Sequence, residues 1–286
     1  MLNMFQAAIF GMVQGITELF PISSLGHSVI LPKILNWNIK QDDPFFVTFL
    51  VATHTATALV LFFFFFKDWK RIISGFFRSL RVREIKDSDN DAKLAWLLIV
   101  ATIPAGLLGI MLQKTLEKLF ASPQLVAFVL ILNGILLFFA EFLRKRVKEN
   151  NSLSGNEERI SKLNWQQAVK VGALQSIALI PGFSRTGSSM TGGLLAGLSH
   201  EDAARFSFLL ATPIIAAASL LKLPDLIDSG KIENLQIALI GALFAGIFAF
   251  LSVKFLTKYF QTQKLWPFGL YCAAGGVGAS LLFLLR

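Results

Sequence analysis

Residues 14–27 read QGITELFPISSLGH, and they set Glu18, Ser23, Ser24 and His27 inside a chain that is otherwise apolar. An acid at the centre of a membrane helix costs roughly 2.5–3.5 kcal/mol on insertion scales, so such a residue needs a partner, water or a chemical task. Gln14 and Glu18 stand at i and i+4 on one helix face, and Pro21 then breaks that helix. The segment around them, 2–35, is apolar but interrupted, and such backbone is tolerated at membrane depth only when buried in protein or facing a wet cavity. It therefore reads as re-entrant.

A second stretch repeats the first. GMVQGITELFPISS (11–24) aligns with GALQSIALIPGFSR (172–185) across a one-residue gap, pairing Gln14 with Gln175 and Pro21 with Pro181. VTFLVATH (47–54) aligns with FSFLLATP (206–213) at a similar offset. Segment 165–198 is thus a second re-entrant element. Six further segments are long and apolar enough to cross a bilayer: 45–66, 94–112, 123–143, 203–222, 235–257 and 265–285. The expected fold is an all-α polytopic membrane protein, one membrane domain over 1–286. Repeat A covers 1–143, a flexible polar linker 144–164, and repeat B 165–286. Each half holds one re-entrant element and three crossings, so the second half is inserted upside down. Inverted repeats place their polar site where the halves meet, which brings Glu18 to Arg185.

Hydrophobic residues make up 54% of the 286 and charged ones 16%, which excludes a soluble domain and a disordered chain. The net charge of +9 follows the loops rather than a nucleic-acid site. Loops 67–93, 144–164 and 258–264 carry eight, six and two Lys or Arg, against two and one in 113–122 and 223–234. The basic loops are cytoplasmic and both termini lie outside. The apolar run at 2–13 lacks a basic flank and does not read as a cleavable signal peptide. Cys272 stands alone in an apolar segment and reads as packing.

The second motif, PGFSRTGSSMTGG (181–193), stops one helix and offers Ser184 or Thr186 to cap the next. Backbone N–H groups at a helix start, together with the forked cation of Arg185, suit phosphate oxygens. The candidate substrate-binding set is Ser23, Ser184, Arg185, Thr186, Gly187 and Ser189. Ser24 needs a base to act as nucleophile, and His27 lies three residues on. Glu18 either orients that imidazole, neutralises Arg185, or holds a hard divalent cation (Mg²⁺ or Ca²⁺) between itself and substrate phosphates. Phosphoryl transfer on an amphiphilic diphosphate is the leading chemistry. A lipid-phosphate or anion transporter or flippase is the rival, since broken inverted repeats serve alternating access. His54 stands inside a crossing between two threonines as a further candidate. His200 reads as interfacial capping, Arg205 as a snorkelling interface cation, and Glu141 as a solvated face.

QGITELFPISSLGH and PGFSRTGSSMTGG, followed by FSFLLATP, resemble the two signature regions of the undecaprenyl-diphosphatase family, the bacterial membrane phosphatases linked with bacitracin resistance. The likeness covers essentially the whole chain. It implies removal of the terminal phosphate of undecaprenyl diphosphate, dependence on a divalent cation, residence in the cytoplasmic (inner) membrane and a site opening to the periplasmic side. A homodimer is compatible with it, and no nucleic acid is a partner. By the same resemblance Gln14 and Glu18 match the metal-associated pair, Ser24 and His27 the nucleophile and its partner, and Ser184 and Arg185 the phosphate contacts. The chain departs from the family pattern at Gln14, which stands in place of Glu, and at Leu25, Thr186 and Ser189. Gln14 removes one negative charge from the metal pair.

Overall fold

The computed structural model describes residues 2–41, 43–120, 122–144, 156–228 and 232–285, and these are helical almost throughout. Two short helices come first, α1 (Met4–Thr17) and α2 (Ser24–Ile34), with the Pro21 turn between them. Then follow α3 (Pro44–Phe64), α4 (Phe66–Val82), α5 (Asn90–Phe120) and α6 (Pro123–Arg144). A one-and-a-half-turn helix, α7 (Asn156–Ser161), precedes a second short pair, α8 (Trp165–Ser176) and α9 (Arg185–Leu195). The chain ends in α10 (His200–Asp228), α11 (Ile232–Tyr259) and α12 (Trp266–Leu284). Six of these are long and apolar enough to cross a membrane: α3, α5, α6, α10, α11 and α12.

The same local devices start both short pairs. Asn3 caps α1 in a capping box with Gln6, and Asn164 caps α8 in a capping box with Gln167. Packing repeats as well: α1 lies along α11 and α8 along α5, while α6 pairs with α12 and α3 with α10. A Cβ at Gly11 would collide with the carbonyl of Gly241, and one at Gly172 with that of Ala101. Only glycine lets those backbones approach so closely, a habit of membrane helix interfaces. Large apolar side chains such as Phe63, Ile110 and Leu239 remain exposed on the long helices, as lipid-facing surfaces require.

Several boundaries differ from those the sequence suggests. The phenylalanine run does not continue one crossing to residue 66. Phe65, buried, ends α3, and α4 begins as an amphipathic helix whose Lys67, Lys70 and Arg71 need water. Its charges are interleaved with Trp69, Ile72, Ile73, Phe76 and Phe77 at helical spacing. Helix α5 runs on to Phe120 and α10 to Asp228, through ground expected to be loop; the stretch 113–120 contains no glycine or proline to stop a helix. The flexible linker expected at 144–164 lies at 145–155 outside the described residues, and its end forms α7, pinned by Arg159 to Asp202 at 2.6 Å.

Three polar residues also behave differently. Glu141 is not a solvated face: its carboxylate accepts from His200 Nε2 and from the Leu265 N–H, both at 2.6 Å. His200 therefore ties α10 to α6, and the cap of α10 is Ser199, whose Oγ accepts from the Asp202 N–H. Arg205 does not simply reach for the interface. It pairs with Asp68 at 2.9 Å and lies over the Phe65 ring, closing the α3–α4 corner.

Candidate functional site

The two motif turns meet. Pro21 Cβ is 3.3 Å from where a Cβ on Gly187 would lie, and Gly182 approaches Gly26 similarly. Asn133, fully buried in α6, holds them together: its Nδ2 donates to the Pro21 carbonyl at 3.0 Å and its Oδ1 accepts from the Ser184 N–H at 3.0 Å. Both short second helices start here. Ser23 caps α2 by accepting from the Gly26 N–H, and Ser184 caps α9 by accepting from the Gly187 N–H. Their N-termini carry partial positive charge. Ser23 holds a left-handed backbone (φ 68°), a conformation strained for serine that the cap and the turn together maintain.

Glu18 is the hub. Its Oε1 accepts from Arg185 Nη2 at 2.9 Å and Nε at 3.3 Å. Its Oε2 accepts from Ser24 Oγ at 2.6 Å and Gln14 Nε2 at 3.2 Å, and faces His54 Nε2 at 3.2 Å. Buried Glu18 and half-buried Arg185, 167 positions apart in the chain, thus form an ion pair. His54 fixes its ring by Nδ1 to the Leu50 carbonyl at 2.7 Å, so both nitrogens face acceptors, which an imidazolium satisfies. Arg185 spends Nη1 on a long contact to the Ser207 carbonyl, 3.4 Å, and keeps further N–H donors in reserve.

A cavity of about 1030 Å³ opens onto this hub. Glu18, Ser24, His54, Gln175, Ser184 and Arg185 line its polar end, while Ala105, Leu179, Phe183 and Ile215 make an apolar wall. Gln41, Asp43, Lys222 and Asn234 also line it.

Not every expected site residue faces that space. His27 is turned away from Ser24, whose hydroxyl donates to Glu18. Nδ1 of His27 donates back to the Ser23 carbonyl at 2.6 Å, and Nε2 shares a hydrogen bond with the Tyr271 hydroxyl at 2.9 Å. The two rings stack, 5.8 Å between centroids. Thr186 donates to the Glu18 main-chain carbonyl at 2.9 Å, and Ser189 is spent on the Arg185 carbonyl and Ser207. Gly187 and Ser23 serve the caps. These residues build the walls that hold Glu18 and Arg185 in place.

Asn133 and Tyr271 escaped the sequence reading. Asn133 had a signal, being the one polar residue in the apolar run 123–140 apart from its start. Tyr271 had none.

Among the described residues no three His, Cys, Asp or Glu gather as a metal centre. One observation does suit a hard cation: Gln14, whose Nε2 donates to Glu18, keeps its Oε1 buried and without a hydrogen-bond partner. One carboxylate and one amide oxygen, completed by water and phosphate oxygens, is an ordinary Mg²⁺ donor set.

Fold and site define a polytopic membrane protein with a cationic and hydroxyl-bearing site where the two motif turns meet. The family model of the bacitracin resistance protein BacA matches residues 7–278. The chain is 42% identical to an undecaprenyl-diphosphatase of Mycolicibacterium paratuberculosis, over 99% of this chain and 98% of that one. It is also 42% identical to undecaprenyl-diphosphatase 2 of Chromobacterium violaceum (99% and 100%), and 45% to undecaprenyl-diphosphatase 2 of Burkholderia thailandensis (93% and 91%). The chain belongs to the BacA family.

Proposed function

We infer that this protein is an undecaprenyl-diphosphatase, a membrane phosphatase that releases the terminal phosphate and returns undecaprenyl phosphate to use. Family membership and relatives so named along the full length support the substrate. The observation that carries the chemistry is Ser24 Oγ donating to Glu18 Oε2 at 2.6 Å beside Arg185. Ser24 Oγ attacks the terminal phosphorus and gives its proton to Glu18 as that P–O bond forms. The bond from this phosphorus to the bridging oxygen breaks, and undecaprenyl phosphate leaves. Water then attacks the phosphoserine phosphorus, the Ser24 Oγ–P bond breaks, Ser24 takes back the proton held by Glu18, and inorganic phosphate departs with the water's protons. Arg185 and the N-terminus of α9 bind the phosphoryl oxygens, and His54 positions Glu18. His27, through Ser23 and Tyr271, braces the turn that presents Ser24.

A divalent cation belongs with Glu18 and Gln14, where it would offset phosphate charge when bound. The short pairs α1–α2 and α8–α9 are read as re-entrant, entering from opposite faces of an inverted repeat. Matching capping boxes, matching glycine contacts and the Lys/Arg asymmetry of the loops support that reading. In that orientation the cavity residues Asp43, Lys222 and Asn234 stand toward the outer side, so the lipid diphosphate enters from the periplasmic face of the inner membrane. The apolar wall takes the first prenyl units. Release of phosphate by the wild type and its loss in Ser24→Ala test the assignment. Normal turnover by Ser24→Ala would remove the serine from the chemistry.

A further inference from the structure

Gln175 lies in α8, 2% exposed, on the wall of the cavity that also holds Ser184 and Arg185. Neither its Oε1 nor its Nε2 has a hydrogen-bond partner. An amide left so is destabilising, and native proteins rarely keep one without use. The other half of the chain shows what is missing. Its counterpart Gln14 donates to Glu18, four residues on. Four residues beyond Gln175 stands Leu179, which lines the same cavity and can accept nothing. The second half carries the amide without a carboxylate to receive it.

Resting on the phosphatase reading, we propose that Gln175 is a substrate-binding residue whose amide N–H groups donate to the diphosphate, on the phosphate that stays with the lipid. Arg185, Ser24 and Glu18 gather at the phosphate that is removed. Gln175 comes from a different helix, on the side of the apolar residues Ala178 and Leu179. Being neutral, it recognises phosphate oxygens without adding a second fixed charge, so the monophosphate product is still released. Oxygen atoms of the substrate thus take the place that the Glu18 carboxylate fills for Gln14.

Gln175→Met keeps the length and removes both polar atoms. Purified wild type, Gln175→Met and Gln175→Glu are compared for KM and kcat on undecaprenyl diphosphate. Binding of farnesyl diphosphate and farnesyl monophosphate is read separately as thermal stabilisation in a Ser24→Ala background. Expected for Gln175→Met is a KM raised about tenfold or more with kcat changed little, the equivalent of one hydrogen bond to a charged group. The affinity loss falls on the diphosphate and spares the monophosphate, while the ligand-free protein melts at or above wild type. Gln175→Glu, which sets a carboxylate against phosphate, loses more. Unchanged KM and unchanged diphosphate stabilisation in Gln175→Met overturn the proposal, as does a lower ligand-free melting temperature with equal losses for both ligands. If wild type binds the diphosphate without cleaving it, the phosphatase reading fails, and the binding comparison alone decides Gln175.

Discussion

Glu18 gathers Arg185, His54, Ser24 and Gln14 on two oxygens, so its substitution does two things at once. Glu18→Gln leaves the half-buried Arg185 without its counter-charge, which lowers stability, and removes the base from Ser24, a rate loss of about 10²–10⁴. Thermal melting and phosphate release should both fall; a variant melting at the wild-type temperature with intact turnover would dismiss the hub. Arg185→Lys keeps the charge and loses the fork, so activity should drop about 10²-fold while the protein stays folded, a result that separates oxyanion binding from charge balance. Much of this centre was legible, because Glu18 and Arg185 are charges set in two similar, otherwise apolar segments. The pairing of Ser24 with His27 was not. Spacing put them within three residues, but the ring turns back to Ser23 and out to Tyr271 of α12, a contact that no local pattern announces. Tyr271→Phe should reproduce most of the activity lost in His27→Ala if bracing is the role; an unaffected Tyr271→Phe beside an inactive His27→Ala would place His27 in the chemistry itself.

At the scale of helices, the breaks at Pro21 and Pro181 and the six long apolar runs could be read directly, since each rests on a local property of the chain. What could not be read depends on packing. Helix α4 hides behind its eight-cation loop, because periodic charges look like loop until the apolar residues between them are given a floor. Glu141 looked solvated beside a basic run, yet α10 and α12 bring it donors from 59 and 124 residues away. Asn133 acts at this scale, joining α6 to both motif turns. Asn133→Leu orphans the Ser184 N–H, worth about 1–3 kcal/mol, leaves the Pro21 carbonyl only the long contact from Cys272 Sγ, and should lower both the melting temperature and turnover. Asn133→Asp, which keeps the acceptor alone, should lie between.

For the molecule as a whole, the two halves make the same close contact twice, Gly11 on Gly241 and Gly172 on Ala101. Gly11→Ala and Gly172→Ala should destabilise to similar extents, roughly 1–3 kcal/mol, by holding α1 off α11 and α8 off α5. Orientation is open to labelling in a Cys272→Ala background: a cysteine placed in 145–155 should react only from the cytoplasm and one in 229–231 only from outside. The central claim is that the joined motifs hydrolyse a lipid diphosphate, and it meets its most direct trial in phosphate release from detergent-solubilised undecaprenyl diphosphate by purified protein, with and without EDTA, beside Ser24→Ala. Wild type should release one phosphate per lipid, lose that activity in EDTA and regain it with Mg²⁺ or Ca²⁺, while Ser24→Ala stays inactive yet folded. Phosphate release by Ser24→Ala at the wild-type rate, or an intact diphosphate after incubation with folded wild type and divalent cation, would contradict it.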